Sequence, residues 1–171
     1  MAHESRLSGE LRLLLQTQRV AALGTLCEDG APLVSMVPFA IEPGSACLVI
    51  HVSGLAAHTR NLQTAPAVSL LVMRAAAQGE PVHALPRVTL QGRAEVLVRD
   101  SAAWQACRAA YLARFAEAEP MTQLGDFMFV ALHVGAARQV AGFGAARSLD
   151  SKELAQVLRG AAGSGGSAVA A

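Results

Sequence analysis

Apolar positions along the chain follow two rhythms, and the change of rhythm marks the elements. Val20 to Cys27, Leu33 to Ile41, Cys47 to Val52, Ala67 to Met73 and Arg87 to Val98 are short apolar or alternating runs. Turn chemistry closes the first two, as Glu28-Asp29-Gly30 and Glu42-Pro43-Gly44-Ser45. Such runs predict strands, and the short turns predict an antiparallel meander. Gly92, in the middle of the fifth run, predicts a bulge or bend there. Phe127 to Val134 and Arg138 to Phe143 complete the strands, with a hairpin around Gly135.

The helical rhythm appears four times. Ser8-Gly9-Glu10-Leu11 reads as a cap for a helix over residues 8 to 18. Ser53 caps a shorter one, in which Leu55 and Leu62 lie seven apart and Pro66 ends the run. Asp100-Ser101 precede a stripe of Trp104, Cys107, Tyr111 and Phe115. Ser151 to Arg159 is a final short helix. From Gly160 the Gly, Ser and Ala tail buries too little to offset its ordering, which predicts disorder. Residues 1–150 therefore read as one domain and 151–171 as a helix and tail. Many short strands with few helices point to a mainly β (α+β) fold, an antiparallel barrel or sandwich.

Composition narrows the function. Fourteen Lys and Arg balance thirteen Asp and Glu, so no basic face invites nucleic acid. No run is long and apolar enough for a signal or a membrane span, and cytoplasmic residence is the expectation. Cys27, Cys47 and Cys107 lack the paired spacing of a zinc or redox motif and read as reduced core thiols. Neither a nucleophile elbow nor a dinucleotide fingerprint is present.

The richest stretch is the strand-to-helix turn from His51 to Asn61. A helix start offers open N–H groups and a positive dipole end, both attractive to phosphate. Ser53, His58, Thr59 and Arg60 place hydroxyl, imidazole and guanidinium donors beside it. On these residues alone, a capped surface helix with solvated His58 and Arg60 is the stronger reading, because Ser caps and surface Arg are common.

Three blocks bring a resemblance. They are Ser53-Gly54-Leu55-Ala56-Ala57-His58-Thr59-Arg60-Asn61-Leu62 followed by Pro66 to Val72, then Arg87 to Ala94, then Gly142-Phe143-Gly144-Ala145-Ala146. In order and spacing, residues from about 10 to 145 resemble the pyridoxamine 5′-phosphate oxidase-related flavoproteins, nearest to their haem-utilisation branch. The resemblance implies a six-stranded split β-barrel with flanking helices, paired as a homodimer with FMN at the interface. It implies a ring-side strand of Ser35, Met36, Val37 and Pro38. It also implies a phosphate side of His51, Val52, Ser53, His58, Thr59 and Arg60, with Arg87 arriving from the fifth strand. Gly142 and Phe143 would approach the cofactor, and Tyr111 and Arg138 fall near substrate-binding positions.

The departures are specific. The oxidases have Ser-Arg-Lys where this chain has Ala56-Ala57-His58, and a substrate lysine where it has Ala40. A fixed cation is thus replaced by a titratable ring. The resemblance implies an FMN-dependent oxidoreductase whose substrate and catalytic residues are unassigned, the flavin carrying the chemistry. Two alternatives stand beside it: a haem-binding or haem-degrading protein on the same barrel, and a non-enzymatic flavin-binding module. Longer haem-branch relatives carry a haem-ligating tail, whereas the tail here has no His, so ligation would fall to His51, His58, His83 or His133.

Overall fold

A computed structural model of the chain describes residues 5–163. Eight strands form one antiparallel sheet: β1 (Val20–Leu26), β2 (Pro32–Pro38), β3 (Ala40–Glu42), β4 (Cys47–Ser53), β5 (Ala67–Met73), β6 (Arg87–Val96), β7 (Phe127–Gly142) and β8 (Ala145–Asp150). The helices are α1 (Arg6–Thr17), α2 (Ala57–Thr64), α3 (Ala102–Arg114) and α4 (Ser151–Arg159). Strand order is β2-β1-β5-β6-β7-β4-β3, with β8 also on β7. The sheet curls until β2 comes beside β4. The antiparallel split barrel is therefore present, with eight strands where six were expected.

Each departure from the sequence reading has a local cause. Pro38 and Phe39 break the second run into β2 and β3, because a proline has no N–H for a ladder. No hairpin forms at Gly135: β7 runs straight through it for sixteen residues. Opposite β6, Gln91 pairs Ala136 and Gly92 pairs Val134, so Gly135 is the extra residue of a bulge. The bend expected at Gly92 is this bulge, and glycine is required there, since a Cβ would lie 2.2 Å from the His133 carbonyl oxygen. The true hairpin follows, where Phe143 and Gly144 turn β7 into β8, with Gly142 and Gly144 at positive φ. The strand β8 had no signal strong enough to announce it. Ser5, rather than Ser8, caps α1.

β7 is the spine. It pairs β6 along its length, β4 over its first half and β8 over its second. It also divides two cores. Val130 and Leu132 point into the barrel with Leu48, Ile50, Val68, Leu70, Val88 and Leu90. Phe129 and Ala131 point outward into a second cluster beneath α3, with Val49, Trp104, Tyr111 and Phe115. β4, buried on both faces, is the shared wall, which is why its sequence is continuously apolar.

The expected stripe on α3 is buried against that wall, with Ser101 accepting from the Trp104 amide as cap. α4 adds Leu154, Val157 and Leu158 to the barrel cluster and starts on an Asp150–Glu153 capping box. Gly160–Gly163 continues it as a 3-10 turn. The remainder of the expected disordered tail, 164–171, lies outside the described residues. Among the described residues, no helix is long and apolar enough to cross a membrane.

Candidate functional site

The expected cofactor residues fall into two groups at opposite ends of the sheet. The first surrounds the start of α2. β4 ends at Ser53, and the chain turns tightly before the helix begins at Ala57. Ser53 is not the helix cap: Ala56 holds that position without a side-chain bond. Instead Ser53 secures the turn. Its Oγ accepts from the Leu55 amide at 3.2 Å and donates to Asp126 Oδ2 at 3.2 Å. Its carbonyl accepts from Thr59 Oγ1 at 2.6 Å and from the Ala56 amide at 3.1 Å. Buried Thr59 is thus a structural pin.

His58 projects from the first turn of α2 to Ser35 on β2, its Nδ1 3.1 Å from the serine Oγ. Burial pushes its imidazole below the ordinary pKa, so the ring is neutral at pH 7. Arg60 is exposed and donates to the Leu55 carbonyl at 3.3 Å. Asn61 donates to Thr25 Oγ1 at 3.0 Å, fixing α2 on β1. Val52 points into the barrel core, and Val37 does likewise.

His51 is close in sequence yet belongs to a different environment. Its ring stacks on Phe127 at 5.1 Å and tilts against Phe129 at 4.4 Å and Tyr111 at 5.8 Å between centroids. Burial, aided by the charge of Arg99, lowers its pKa to about 4. Tyr111 is buried in the same stack, and burial raises its pKa to about 12. Both are aromatic packing elements of the layer under α3.

The second group is Arg87, Arg138, Gly142 and Phe143. Arg87 faces Met73 and Val140 across the sheet, whereas α2 delivers the chain to Ala67, opposite Arg93. That separation is roughly 20 Å along β6. Within one chain Arg87 therefore does not join the α2 corner, and its guanidinium donates to the carbonyls of His83 and Leu85. Arg138 donates to Ser148 Oγ at 3.3 Å on the outer face. Phe143 stands at the hairpin tip, 92% exposed. His83 lies in an exposed 3-10 turn, and His133 Nε2 is 2.7 Å from Glu95 Oε2 on the surface.

Between the two groups, the outer face of β1, β2 and β5 is bare. Val20, Val34, Met36, Leu71 and Met73 are all exposed there, Val34 to 68% and Met36 to 65%. They line an open groove with Ala22, Ser35 and the neighbouring backbone. The expected ring-side strand thus divides: Met36 faces the groove beside Val34, Ser35 meets His58, Val37 faces the core, and Pro38 borders β1 opposite Val20.

The α2 corner offers a phosphate little fixed positive charge. The Leu55 and Ala56 amides bond within the turn and the Gly54 amide donates to the Asp126 carbonyl, leaving those of Ala57 and His58 as open donors. An exposed cation, Arg60, and an anion, Asp126, flank the turn, while burial disfavours the charged form of His58. A phosphate dianion ordinarily draws on fixed, converging cations. By contrast, a neutral imidazole held through one ring nitrogen is the usual form of an iron ligand. Asp126 and Phe127 were missed as site residues; the block Gly125-Asp126-Phe127 was visible, but nothing local tied it to Ser53. No group of three or more His, Cys, Asp or Glu clusters as a metal site among the described residues.

Comparisons with known proteins converge on one family. The profile of the family described as Pyridoxamine 5′-phosphate oxidase matches residues 7–141. A curated relative, "Heme oxygenase HutZ" of Vibrio cholerae, is 31% identical over 153 residues, covering 88% of this chain and 85% of that protein. The structure of a haem-binding protein from Mycobacterium smegmatis superposes with TM-score 0.79 at 32% identity. That match takes in 91% of this chain but only 62% of the longer protein. The crystal structure of HutZ, described as a haem storage protein, superposes with TM-score 0.68 at 30% identity, over 75% of this chain and 89% of that one.

Proposed function

Since the chain belongs to the pyridoxamine 5′-phosphate oxidase family, in the branch it shares with haem-utilisation proteins, we propose that it binds haem rather than FMN. The observation that carries this reading is the near-neutral α2 corner, which replaces the oxidases' fixed cations with a neutral His58 held by Ser35. In the tautomer whose Nδ1–H donates to Ser35 Oγ, the Nε2 lone pair is available to iron. The apolar groove of Val34 and Met36 lies on the outer face of β2, whereas His58, the proposed axial ligand, is held by Ser35 on that strand's inward face. Haem bound there would supply the iron centre for oxygen chemistry. The chain's own residues would orient the ring and exclude water from it.

Two copies pair through the same bare face in this reading. An exposed apolar sheet face of this extent is the kind of surface that marks a protein interface. A second copy also supplies what one chain lacks, a partner group of Arg87, Arg138 and Phe143 to face the α2 corner.

Titration with haemin tests the proposal. A saturable Soret band is expected at micromolar protein, shifted or lost in His58→Ala, with light scattering near twice 17.7 kDa. With an added reductant and oxygen, loss of that band would extend the reading to haem degradation. A protein that purifies yellow, and takes up FMN more tightly than haem, would overturn it in favour of the flavin oxidoreductase.

A further inference from the structure

A cleft at the end of the barrel remote from α2 takes no part in the haem reading. α1 packs against β5 and β7 there, beside Arg74 just past the end of β5 and Pro86 just before β6. α2 delivers the chain to Ala67 at the other end of β5, so the two regions stand roughly 20 Å apart. The cleft holds about 170 Å³. Its walls are apolar: Leu13 and Leu14 on α1 face Pro86, Val140 and Ala141 on the barrel rim. Leu11, Leu14 and Leu15 form the stripe of α1 that packs into the barrel core. Leu13 lies off that stripe, is 60% exposed, and lines the cleft instead. β7 shapes the opposite wall. Val140 pairs Ala146 and Gly142 pairs Ala145, so Ala141 is an extra residue, a second bulge in this strand. A bulge bends its strand out of the ladder, and such bends gather at barrel rims and beside ligand sites. Alanine at the bend leaves open the space that a longer side chain would fill.

The charges around the cleft are already matched. Glu10 pairs with Arg6, and Arg74 pairs with Glu80 while donating to the Ala75 carbonyl at 3.2 Å. The Gln139 amide is engaged at both ends, by the Leu7 carbonyl and by Arg147. An anion entering the cleft would meet Glu10, and a cation would meet Arg74. Hydrogen bonding is what stays open. Arg74 has further N–H groups, Glu10 has further lone pairs, and Gln18 makes only a long contact to Thr17 at 3.5 Å. In size, an apolar cavity of about 150 Å³ takes a benzene-sized guest. We propose that this cleft is a second ligand site, for a neutral one-ring compound bearing a hydroxyl, of the phenol class. The ring lies between α1 and the β7 bulge. Its hydroxyl both donates and accepts, and so can use the polar groups at the margin whichever of them it meets. The site is independent of the cofactor at the α2 corner.

Phenol titrated into the full-length protein tests this, read from the Leu and Val methyl resonances. Saturable binding is expected with a dissociation constant of about 1 mM or tighter. The shifts should fall on Leu13, Leu14 and Val140 rather than on Val34 and Leu71 of the bare face. Benzoate and benzylamine, similar one-ring compounds carrying a charge, should bind about tenfold more weakly or worse. Ala141→Leu, which fills the space at the bulge, should abolish binding. Leu13→Ser removes one wall at an exposed position and so spares the fold; it should weaken binding about fivefold or more. Failure to saturate by about 10 mM phenol, or shifts centred elsewhere, overturns the proposal. So does a charged analogue that binds as tightly as phenol, or either variant binding like the native protein.

Discussion

The outer surface of the sheet carries two opposite solutions to the same problem. Over β3, β4 and the first half of β7, α3 covers the sheet and seals an aromatic layer of His51, Trp104, Tyr111 and Phe129. Over β1, β2 and β5 nothing covers it, and Val20, Val34, Met36, Leu71 and Met73 face outward. The covered half is completed from within the chain, since α3 buries the aromatic rings of its strands. The bare half is apolar without an internal partner, which is the mark of a surface that something else completes. Stability should therefore depend on the first half and association on the second.

The widest break in that comparison should come from Phe129→Ala. The ring is fully buried against His51, Trp104 and Tyr111, so its loss should cost about 3–5 kcal/mol in denaturant unfolding. A cost under about 1 kcal/mol would show that the sealed layer is not a second core.

Acid should separate the halves next. His51 titrates near 4 in the folded protein but near 6.5 when unfolded, so the unfolded chain binds the proton first. Its neutral form is fully stabilising above about 6.5, and that contribution is lost as the pH falls toward about 4. The loss is at most about 3 kcal/mol. Unfolding midpoints measured across that window should fall in the native protein and fall less in His51→Leu, which keeps the site apolar. An equal slope in both would remove His51 as the cause.

The smallest change in fold stability is expected on the bare face. Met36→Lys should alter unfolding by less than about 0.5 kcal/mol, as exposed substitutions do. Light scattering should nonetheless shift toward single chains, because a charge would then lie in the proposed contact. A dimer unaffected by Met36→Lys would move the interface elsewhere.

What the residue pattern could and could not reveal follows from the range of the forces involved. The stripe Trp104, Cys107, Tyr111 and Phe115 was legible because helix periodicity and the Ser101 cap are local. The turn at His51 to Asn61 was legible as a strand-to-helix connection for the same reason. Its internal wiring was not: Ser53 looked like a cap, but Asp126 and Thr59 claim it through contacts seventy-three and six residues away. Gly135 looked like a hairpin because a glycine between strands is ambiguous; only its register opposite Gln91 and Gly92 makes it a bulge. Arg87 was expected at the phosphate side from the family resemblance; within one chain it lies about six residues along β6 from the position opposite the end of α2, a separation that only the strand register reveals.

The sixteen-residue β7 also sets a schedule for the newborn chain. Residues as early as Leu48 and as late as Asp150 pair with this one strand. A nascent polypeptide emerging from the ribosome can assemble the β1–β2 and β5–β6 hairpins, but β4 must wait, unpaired on that edge, until position 132 is free of the exit tunnel. Closure of the barrel for that reason waits until β7 has emerged.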